Sequence, residues 1–242
     1  MNGVQELQAL VDASESIVFF GGAGVSVPSG IPDFRSVDGL YNQRYKYPPE
    51  QIISASFFRR NCEEFYRFYR DRMLYPGARP NAAHRKLAEL EASGKLRAVV
   101  TQNIDGLHQA AGSKNVFELH GSVLRNYCMN CRAFYDLDAV MRSEGIPRCG
   151  KCGGVIKPDV VLYEESLDGA VMDGALRSIA SCDLLVIGGT SLVVYPAAGL
   201  IRYKPAGAKL AVVNKSPTPS DGEADLVVCG SIDEIFGALS VR

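Results

Sequence analysis

A glycine-rich turn from Gly21 to Arg35 holds the residue types best suited to chemistry. It follows the apolar run Ile17–Phe20, which is typical of a buried strand. Glycines directly after a strand let the backbone approach a pyrophosphate, and a helix beginning near Ala23 would aim its free amides at the phosphates. Val27 stands where the dinucleotide fingerprint has its third glycine. A tight turn without a ligand therefore stays open as an alternative.

Four cysteines form two matched pairs with the spacing of a metal site. Cys128 and Cys131 are one Cys-x-x-Cys pair, and Cys149 and Cys152 are a second pair, with seventeen residues between the two pairs. This spacing brings four thiolates around one tetrahedral zinc. Four protein ligands leave no position for water, so the sequence predicts a structural zinc. A redox dithiol or two disulfides are the alternatives, and neither of them needs two matched Cys-x-x-Cys pairs.

Polar residues follow two further apolar runs. The segment Gln102–Asp105 comes directly after one run and His120 directly after another. Ligands of open α/β sheets bind at the carboxyl ends of the strands, so both clusters are predicted to lie in one crevice with the glycine turn. A neutral imidazole at His120 could take a proton from a hydroxyl group. His84 and His108 are predicted to be structural.

Apolar runs alternate with amphipathic stretches, which predicts an α/β fold: a Rossmann-like parallel sheet with helices on both faces. The predicted strands are Ile17–Phe20, Leu96–Thr101, Val116–Leu119, Leu184–Gly188 and Leu210–Val213. The predicted helices are Val4–Ala13, Ala82–Ala92, Gly169–Ala180 and Ile232–Leu239, the third of them capped by Asp168.

Two stretches interrupt this alternation and predict a small second domain. A helical insertion covers about 45–80, and a zinc lobe covers about 125–155. The Rossmann-like part of the single catalytic domain would then comprise about 1–44, 81–124 and 156–242.

Composition narrows the possible partners and location. The chain of 242 residues has 26 basic and 27 acidic side chains, so no overall field attracts nucleic acid or an anionic membrane. The start of the chain lacks the features of a signal peptide, and the apolar stretch Leu184–Leu200 is broken by glycine, polar residues and proline. We expect a cytoplasmic protein in which Cys62, Cys182 and Cys229 are packed thiols. The sequence does not predict an oligomeric state.

The motifs, taken together and in order, closely resemble those of the sirtuins, NAD-dependent protein-lysine deacylases, in a short single-domain bacterial form. The resemblance runs from about Ile17 to the C-terminus. It rests on Gly22–Gly24, Gly30–Arg35, Gln102–Asp105, His120-Gly121, the two cysteine pairs, Gly189–Ala198 and Val213-Asn214.

The resemblance implies a reaction in which the acyl oxygen of a modified lysine attacks the nicotinamide ribose of NAD. The products would be nicotinamide, O-acetyl-ADP-ribose and free lysine. His120 would be the general base acting through the ribose hydroxyls, Asn103 would position the ribose or a water, and Asp105 would hold the nicotinamide carboxamide. The residues implied to bind the cofactor are Gly22, Ala23, Gly24, Val27, Asp33, Phe34, Arg35, Gln102, Asn103, Ile104, Asp105, His120, Gly189, Thr190, Ser191, Asn214 and Ile232.

The resemblance also implies that an acetyl-lysine peptide adds as a strand between about Val161–Glu165 and Ser191–Val194. The implied substrate-binding residues are Val161, Leu162, Tyr163, Glu164, Leu192 and Val193. Glu164 stands where the family has glycine, and this extra carboxylate motivates the hypothesis of a bias toward basic substrates.

A second departure concerns the acyl group. Tyr69 occupies the position of an arginine that binds acidic acyl groups in desuccinylating sirtuins, three residues after Tyr66. Without a guanidinium to pair with a distal carboxylate, succinyl and malonyl groups are predicted to be poor substrates. Arg67 and Arg70 lie nearby in the sequence, so an alignment shifted by one residue stays open.

Three rival functions are distinguishable. Mono-ADP-ribosyl transfer would use the same NAD cleavage, and it differs in releasing nicotinamide without an acyl-lysine. A dehydrogenase is disfavoured because no acid lies about twenty residues past the glycines in the expected context. A non-enzymatic module that binds nucleic acid through the zinc lobe is disfavoured by the sparse basic residues around the cysteines.

Overall fold

Six parallel strands form the main sheet of the computed structural model, which describes residues 3–34, 39 and 45–241. The strands are β1 (Ile17–Gly21), β2 (Leu96–Thr101), β3 (Val116–Glu118), β7 (Leu184–Gly188), β8 (Lys209–Asn214) and β9 (Leu226–Cys229), in the order β3-β2-β1-β7-β8-β9. From β1 the chain adds strands first on one side and then on the other. The crevice for a ligand in such a sheet lies where the order reverses, beside β1.

The register brings the carboxyl ends of the central strands level. Gly21 at the end of β1 pairs with Thr101 of β2 on one side and with Gly188 of β7 on the other. Gly188 is in turn level with Val213 of β8. The segments that leave these strands therefore start side by side along one edge of the sheet.

Helices cover both faces of this sheet. On one face the core includes apolar side chains from α1 (Gly3–Ala13), α5 (Ala82–Ala92) and α9 (Ile232–Gly237). On the other face it includes side chains from α8 (Gly169–Ile179) and the 3₁₀ segment Ala197–Tyr203. Asp168 caps α8 as predicted, since its carboxylate accepts from the Val171 N–H. The predicted fold class is confirmed.

A smaller antiparallel sheet stands apart from the main one. Its strands β4 (Gly121–Cys128), β5 (Phe134–Tyr135) and β6 (Ile156–Val160) lie in the order β5-β4-β6. The helices around it are α2 (Pro49–Ile52), α3 (Ala55–Arg60), α4 (Cys62–Arg72) and α7 (Leu137–Arg142), and α6 (Leu107–Ala110) belongs to the main part. Side chains of α2, α3, α4 and α7 share one aromatic-rich core with Val123 and Val160 of the small sheet.

Three local features differ from the sequence predictions. The helix predicted near Ala23 is a pair of short 3₁₀ turns, Ala23–Val25 and Val27–Ser29, ended by Gly30 in the left-handed region. Strand β9 was not predicted. Cys229, at its end, is exposed, and of the three cysteines predicted to be packed only Cys182 is fully buried.

Within the ranges that the structure describes, no helix has the length and apolar character needed to cross a membrane.

Candidate active site

A cavity of about 1130 Å³ opens at the carboxyl edge of the main sheet. Its walls come from the glycine turn after β1, the segment after β2, the start of β4, the segment after β6 and the loops after β7 and β8. The topology therefore brings together segments that are up to about two hundred residues apart in the sequence. This is the position that the switch of strand order predicts for a ligand site.

The floor of the cavity is formed where two backbones cross. The Gly24 N–H donates to the Gly189 carbonyl at 2.8 Å. A Cβ atom on Gly24 would lie 2.8 Å from both the Cα and the carbonyl oxygen of Gly189, and Gly189 itself has a φ of +59°. Glycine is required at both positions because neither of the two crossing backbone segments leaves space for a side chain.

A buried polar network lies beside this crossing. The Ser26 hydroxyl donates to the Asp105 carboxylate at 2.7 Å and accepts from the Asn103 amide at 3.1 Å. The Leu107 N–H donates to the other Asp105 oxygen at 2.9 Å. Burial raises the pKa of Asp105, and the bonds from Leu107 and Ser26 oppose that shift. The arrangement presents carboxylate and amide groups to an amide or hydroxyl ligand in the cavity.

His120 is held in one tautomer by the main chain. Its Nδ1 lies 3.0 Å from the Gln102 carbonyl oxygen. A carbonyl can only accept, so Nδ1 carries the proton in the neutral ring and Nε2 keeps a free lone pair. Burial lowers the pKa of His120, and the bond to Gln102 opposes the change. The ring therefore stays neutral and able to accept a proton at physiological pH.

The opposite side of the cavity is linked by a chain of amides and hydroxyls. The Gln102 side chain donates to the Thr190 hydroxyl at 3.3 Å, and the Asn214 amide donates to the Thr190 carbonyl at 3.2 Å. These bonds join the loops after β2, β7 and β8 and so give the far wall a defined shape.

The cavity brings together most of the sequence-predicted site residues. Those that line it are Gly22, Ala23, Gly24, Val27, Asp33, Phe34, Gln102, Asn103, Ile104, Asp105, His120, Val161, Leu162, Tyr163, Glu164, Gly189, Thr190, Ser191, Asn214 and Ile232. Arg35 lies outside the described residues.

Two predicted substrate-binding residues do not line the cavity. Leu192, with a φ of +54°, is buried in the core under the main sheet. Val193 is 49% exposed and is not part of the cavity walls, which include Val194 and Tyr195 instead. Other residues of this segment do reach the cavity, but a loop with left-handed backbone does not alternate its side chains as a strand does.

Ser26 was not among the predicted site residues, although it is 1% exposed and its hydroxyl connects Asn103 to Asp105. A hydroxyl residue two positions after the glycine at 24 was a usable signal, since serine in such a turn usually bonds to nearby polar groups. The wall formed by Lys215, Ser216 and Gly230 was also not predicted, and no motif marks it.

The four predicted metal ligands form one cluster. The sulfur atoms of Cys128, Cys131, Cys149 and Cys152 all lie within 4.8 Å of one another, with separations of 3.4 Å between Cys128 and Cys152 and 3.6 Å between Cys131 and Cys149. A tetrahedral zinc with Zn–S bonds of about 2.3 Å needs sulfur atoms about 3.8 Å apart. The donor set and its spacing fit zinc.

Tyr135 adds a polar contact to this cluster. Its hydroxyl donates to the Cys149 sulfur at 3.1 Å and accepts from the Gly150 N–H at 2.8 Å. The hydroxyl lowers the pKa of the Cys149 thiol to about 6, which favours the thiolate that a zinc ion requires.

Comparison with known proteins identifies the family of this chain. The sequence profile described as the Sir2 family matches residues 22–196. The chain belongs to the Sir2 family. The same span contains the glycine turn, His120 and all four clustered cysteines.

Close relatives and solved Sir2 structures cover nearly the whole chain. Proteins named NAD-dependent protein deacetylase are 58% identical over 236 residues in Clostridium perfringens, covering 97% of each chain, and 57% identical over 239 residues in Clostridium acetobutylicum, covering 98% of this chain and 97% of that one. A Sir2 structure with a p53 peptide and NAD⁺ has a TM-score of 0.84 and 40% identity, covering 96% of this chain and 95% of that one. Another, with a deacetylated p53 peptide and 3′-O-acetyl ADP-ribose, has a TM-score of 0.88 and 39% identity, covering 98% and 96%.

Glu164 departs from the sirtuin pattern at a position where the backbone explains the usual glycine. Its φ of 75° lies in the left-handed region, which costs a non-glycine residue about 1 kcal/mol. The carboxylate accepts from the N–H and the hydroxyl of Ser56 at 2.8 and 2.9 Å, and these bonds lower its pKa, with Arg59 and Arg60 nearby. The carboxylate is therefore bound to α3 and keeps its negative charge at the cavity wall, and the bias toward basic substrates stays a prediction.

The two tyrosines predicted to stand where desuccinylating sirtuins select acidic acyl groups do not reach the cavity. Tyr66 and Tyr69 are fully buried in the core of the small part, and Tyr66 donates to the Ile156 carbonyl. Arg67 pairs with Glu64. Arg70 donates to the Val140 carbonyl at 3.1 Å, and to the Ser143 hydroxyl and the Gly145 carbonyl at 2.8 Å. Both arginines are thus bonded away from the cavity, whose lining includes neither.

Proposed function

We propose that this chain is an NAD-dependent protein-lysine deacetylase. One observation carries the proposal: the glycine crossing, the Ser26–Asp105–Asn103 network, His120 and the segment after β6 all line one cavity. The names of the close relatives and the ligands of the Sir2 structures support the same activity.

The residues of the cavity fit NAD at both of its ends. The glycine crossing and the first 3₁₀ turn would lie against the pyrophosphate, since this backbone has no side chain to keep a phosphate away. Asp105 and Asn103 would bind the nicotinamide half, and Thr190, Ser191 and Asn214 the adenosine half. When bound, NAD supplies a glycosidic bond from which nicotinamide can leave.

His120 would act as the general base. His120 lines the cavity, the bond to the Gln102 carbonyl fixes the ring orientation, and that bond leaves the Nε2 lone pair unused. Removing a proton from a ribose hydroxyl makes that oxygen a better nucleophile toward the activated acyl carbon. The apolar wall around Phe34 and Ile104 would exclude water, which favours acyl transfer over hydrolysis of NAD.

The peptide substrate would lie along the segment after β6. Tyr163 is anchored to the helical insertion, because its N–H donates to the Ile53 carbonyl and its carbonyl accepts from the Ala55 N–H, both at 3.0 Å. We infer that a peptide pairs with the other edge of Val161–Glu165, opposite the loop at 191–194. Main-chain pairing of this kind gives affinity with little sequence selectivity.

Acetyl-lysine is the substrate class that we favour over acidic acyl-lysines. Arg67 and Arg70 are bonded to Glu64 and to the zinc lobe, and Arg72, the α4 arginine that does line the cavity, pairs with Asp71 at 2.7 Å. Each of these three guanidinium groups thus already has a partner other than an acyl group. We expect kcat/KM for a succinyl-lysine peptide at least tenfold below that for the matched acetyl-lysine peptide. Equal values would contradict this assignment.

The remaining parts of the proposal concern organisation and location. We propose a single catalytic domain with a Rossmann-like part and a small part, as predicted, with the boundaries drawn nearer 121 and 160, because β4 and β6 pair in the small sheet. A zinc ion bound by the four cysteines would supply folding free energy to a lobe with a small core. A cytoplasmic location is proposed because four thiolates require a reducing compartment.

The test follows nicotinamide and O-acetyl-ADP-ribose by mass spectrometry. An acetyl-lysine peptide, the unmodified peptide and no peptide are each incubated with NAD and the wild-type chain or His120→Ala. The proposal requires both products only with the acetylated peptide, and their loss in the variant. Nicotinamide release without acetyl-lysine would instead indicate ADP-ribosyl transfer or hydrolysis.

A further inference from the structure

Asn81 lies directly behind the glycine turn, at the start of α5. Its side-chain oxygen accepts from the Ala83 N–H at 3.0 Å and the His84 N–H at 3.4 Å. The backbone N–H of Asn81 donates to His84 Nδ1 at 3.3 Å. This is a reciprocal capping box, and it uses only the oxygen of the Asn81 amide.

The amide nitrogen of Asn81 makes contacts that a helix cap does not need. It donates to the Val25 carbonyl at 2.7 Å and to the Ser29 hydroxyl at 2.9 Å. Val25 ends the first 3₁₀ turn and Ser29 ends the second. A single side chain thus joins the helix to both turns of the glycine segment.

Ser26 lies between these two contacts. It is the residue whose hydroxyl donates to Asp105 and accepts from Asn103. Because Asn81 holds the Val25 carbonyl before Ser26 and the Ser29 hydroxyl after it, it limits where the Ser26 hydroxyl can point. Asn81 touches neither the cavity nor any group implied to react, since the cavity lining does not include it.

We propose that Asn81 is a positioning residue for NAD: its amide nitrogen fixes Ser26, and through Ser26 the orientation of Asp105 and Asn103. This inference rests on the proposed function of the cavity. It assigns Asn81 a second role that is separable from capping, because the two roles use different atoms of one amide group.

Asn81→Ser separates the two roles. Serine is as good an N-cap as asparagine, so α5 keeps its cap, but its short side chain has no second group to reach Val25 and Ser29. Ser29→Ala removes one acceptor and leaves the cap intact. Asp168→Ala is the matched control, since it removes a cap from α8 without touching the turn.

The assay measures kcat, the KM for NAD and the KM for an acetyl-lysine peptide, together with the melting temperature. We expect Asn81→Ser to raise the KM for NAD at least fivefold while the KM for peptide changes less than twofold. Ser29→Ala should change the KM for NAD in the same direction by a smaller factor. Asp168→Ala should lower the melting temperature with the KM for NAD unchanged.

Two outcomes overturn the proposal. A KM for NAD in Asn81→Ser within twofold of wild type would leave Asn81 as a cap alone. A rise of equal size in Asp168→Ala would show that loss of stability, and not the turn, changes the KM. If Asn81→Ser fails to fold, Ser29→Ala replaces it in the test, and a KM for NAD within twofold of wild type in that variant would overturn the proposal. A wild-type chain without acetyl-dependent nicotinamide release would refute the proposed function instead.

Discussion

The crossing of Gly24 and Gly189 offers a sharp test of how the cavity floor is built. In Gly24→Ala the new methyl group would lie 2.8 Å from two backbone atoms of Gly189. Ordinary carbon contacts are about 3.5–4.0 Å, so one of the two loops has to move by about 1 Å. Backbone cannot rotate aside as a flexible side chain can, and Gly24 also donates its N–H to the same carbonyl.

The expected cost is that of overpacking, about 1–3 kcal/mol. For a chain of this size, 1 kcal/mol corresponds to about 2–4 °C, so the melting temperature should fall by about 2–12 °C. NAD would have to bind against the displaced loop. If binding must restore the wild-type crossing, its Kd should rise by about fivefold to 100-fold, since 1.4 kcal/mol is a factor of ten.

The assay compares Gly24→Ala with Gly207→Ala by thermal melting and by titration calorimetry with NAD. Gly207 is the control because it is exposed and has no atom within 4 Å of its added Cβ. A Gly24→Ala variant that melts with the control and binds NAD equally well would refute the close-crossing argument. A lower melting temperature with unchanged NAD affinity would separate the crossing from cofactor binding.

Three further predictions concern titration and zinc. Burial lowers the pKa of His120, so kcat/KM should hold its plateau down to below about pH 6.5 and fall only as the ring protonates; a limb above pH 7 would contradict this. Burial lowers the pKa of His84 to about 4 and of His108 to about 3. Below about pH 6.5 the unfolded chain therefore binds more protons than the folded chain. As the pH is lowered through this range, the free energy of unfolding should fall by up to about 1.4 kcal/mol per pH unit for each histidine. His108→Phe keeps a ring beside His84 and should reduce the slope of the free energy of unfolding against pH, measured by urea titrations at several pH values. An unchanged slope would show that His108 does not contribute to this pH dependence. Tyr135→Phe removes the bond to Cys149 and should speed zinc release to a colorimetric chelator, whereas an equal rate would show that the bond does not contribute.

Local sequence patterns predicted the elements that bury continuous apolar runs. All five predicted strands appear in the main sheet, because runs such as Leu184–Gly188 are buried along their whole length and periodicity reports burial directly. Strand β9 is apolar throughout but only four residues long, and periodicity alone does not assign so short a run; at the sheet edge its alternate residues are exposed, including Val227 at 45%. The small sheet escaped because β4 carries a register shift between Ser122 and Asn126.

The candidate site was predictable where spacing along the chain decides the chemistry. Two Cys-x-x-Cys pairs determine a zinc site, because the short spacing within each pair leaves few other ways to place four thiolates together. The order of the glycine turn, the segment Gln102–Asp105 and His120 determined the family. The cysteine signal needs only covalent geometry and residue type, whereas the family signal is a resemblance of ordered motifs.

Tertiary structure alone decided which atoms of those residues are left free to contact a ligand in the cavity and which are bonded to the protein. The Gln102 carbonyl sets the tautomer of His120, and Ser56 binds the carboxylate of Glu164. Asn81 reaches Val25 across more than fifty residues of sequence. Such contacts depend on distances of about 3 Å between segments that are remote in the chain, and no pattern within one segment encodes those distances. The sequence by itself thus determined the main sheet, the four-cysteine metal site and the family, while packing determined the protonation, orientation and support of the groups proposed to react.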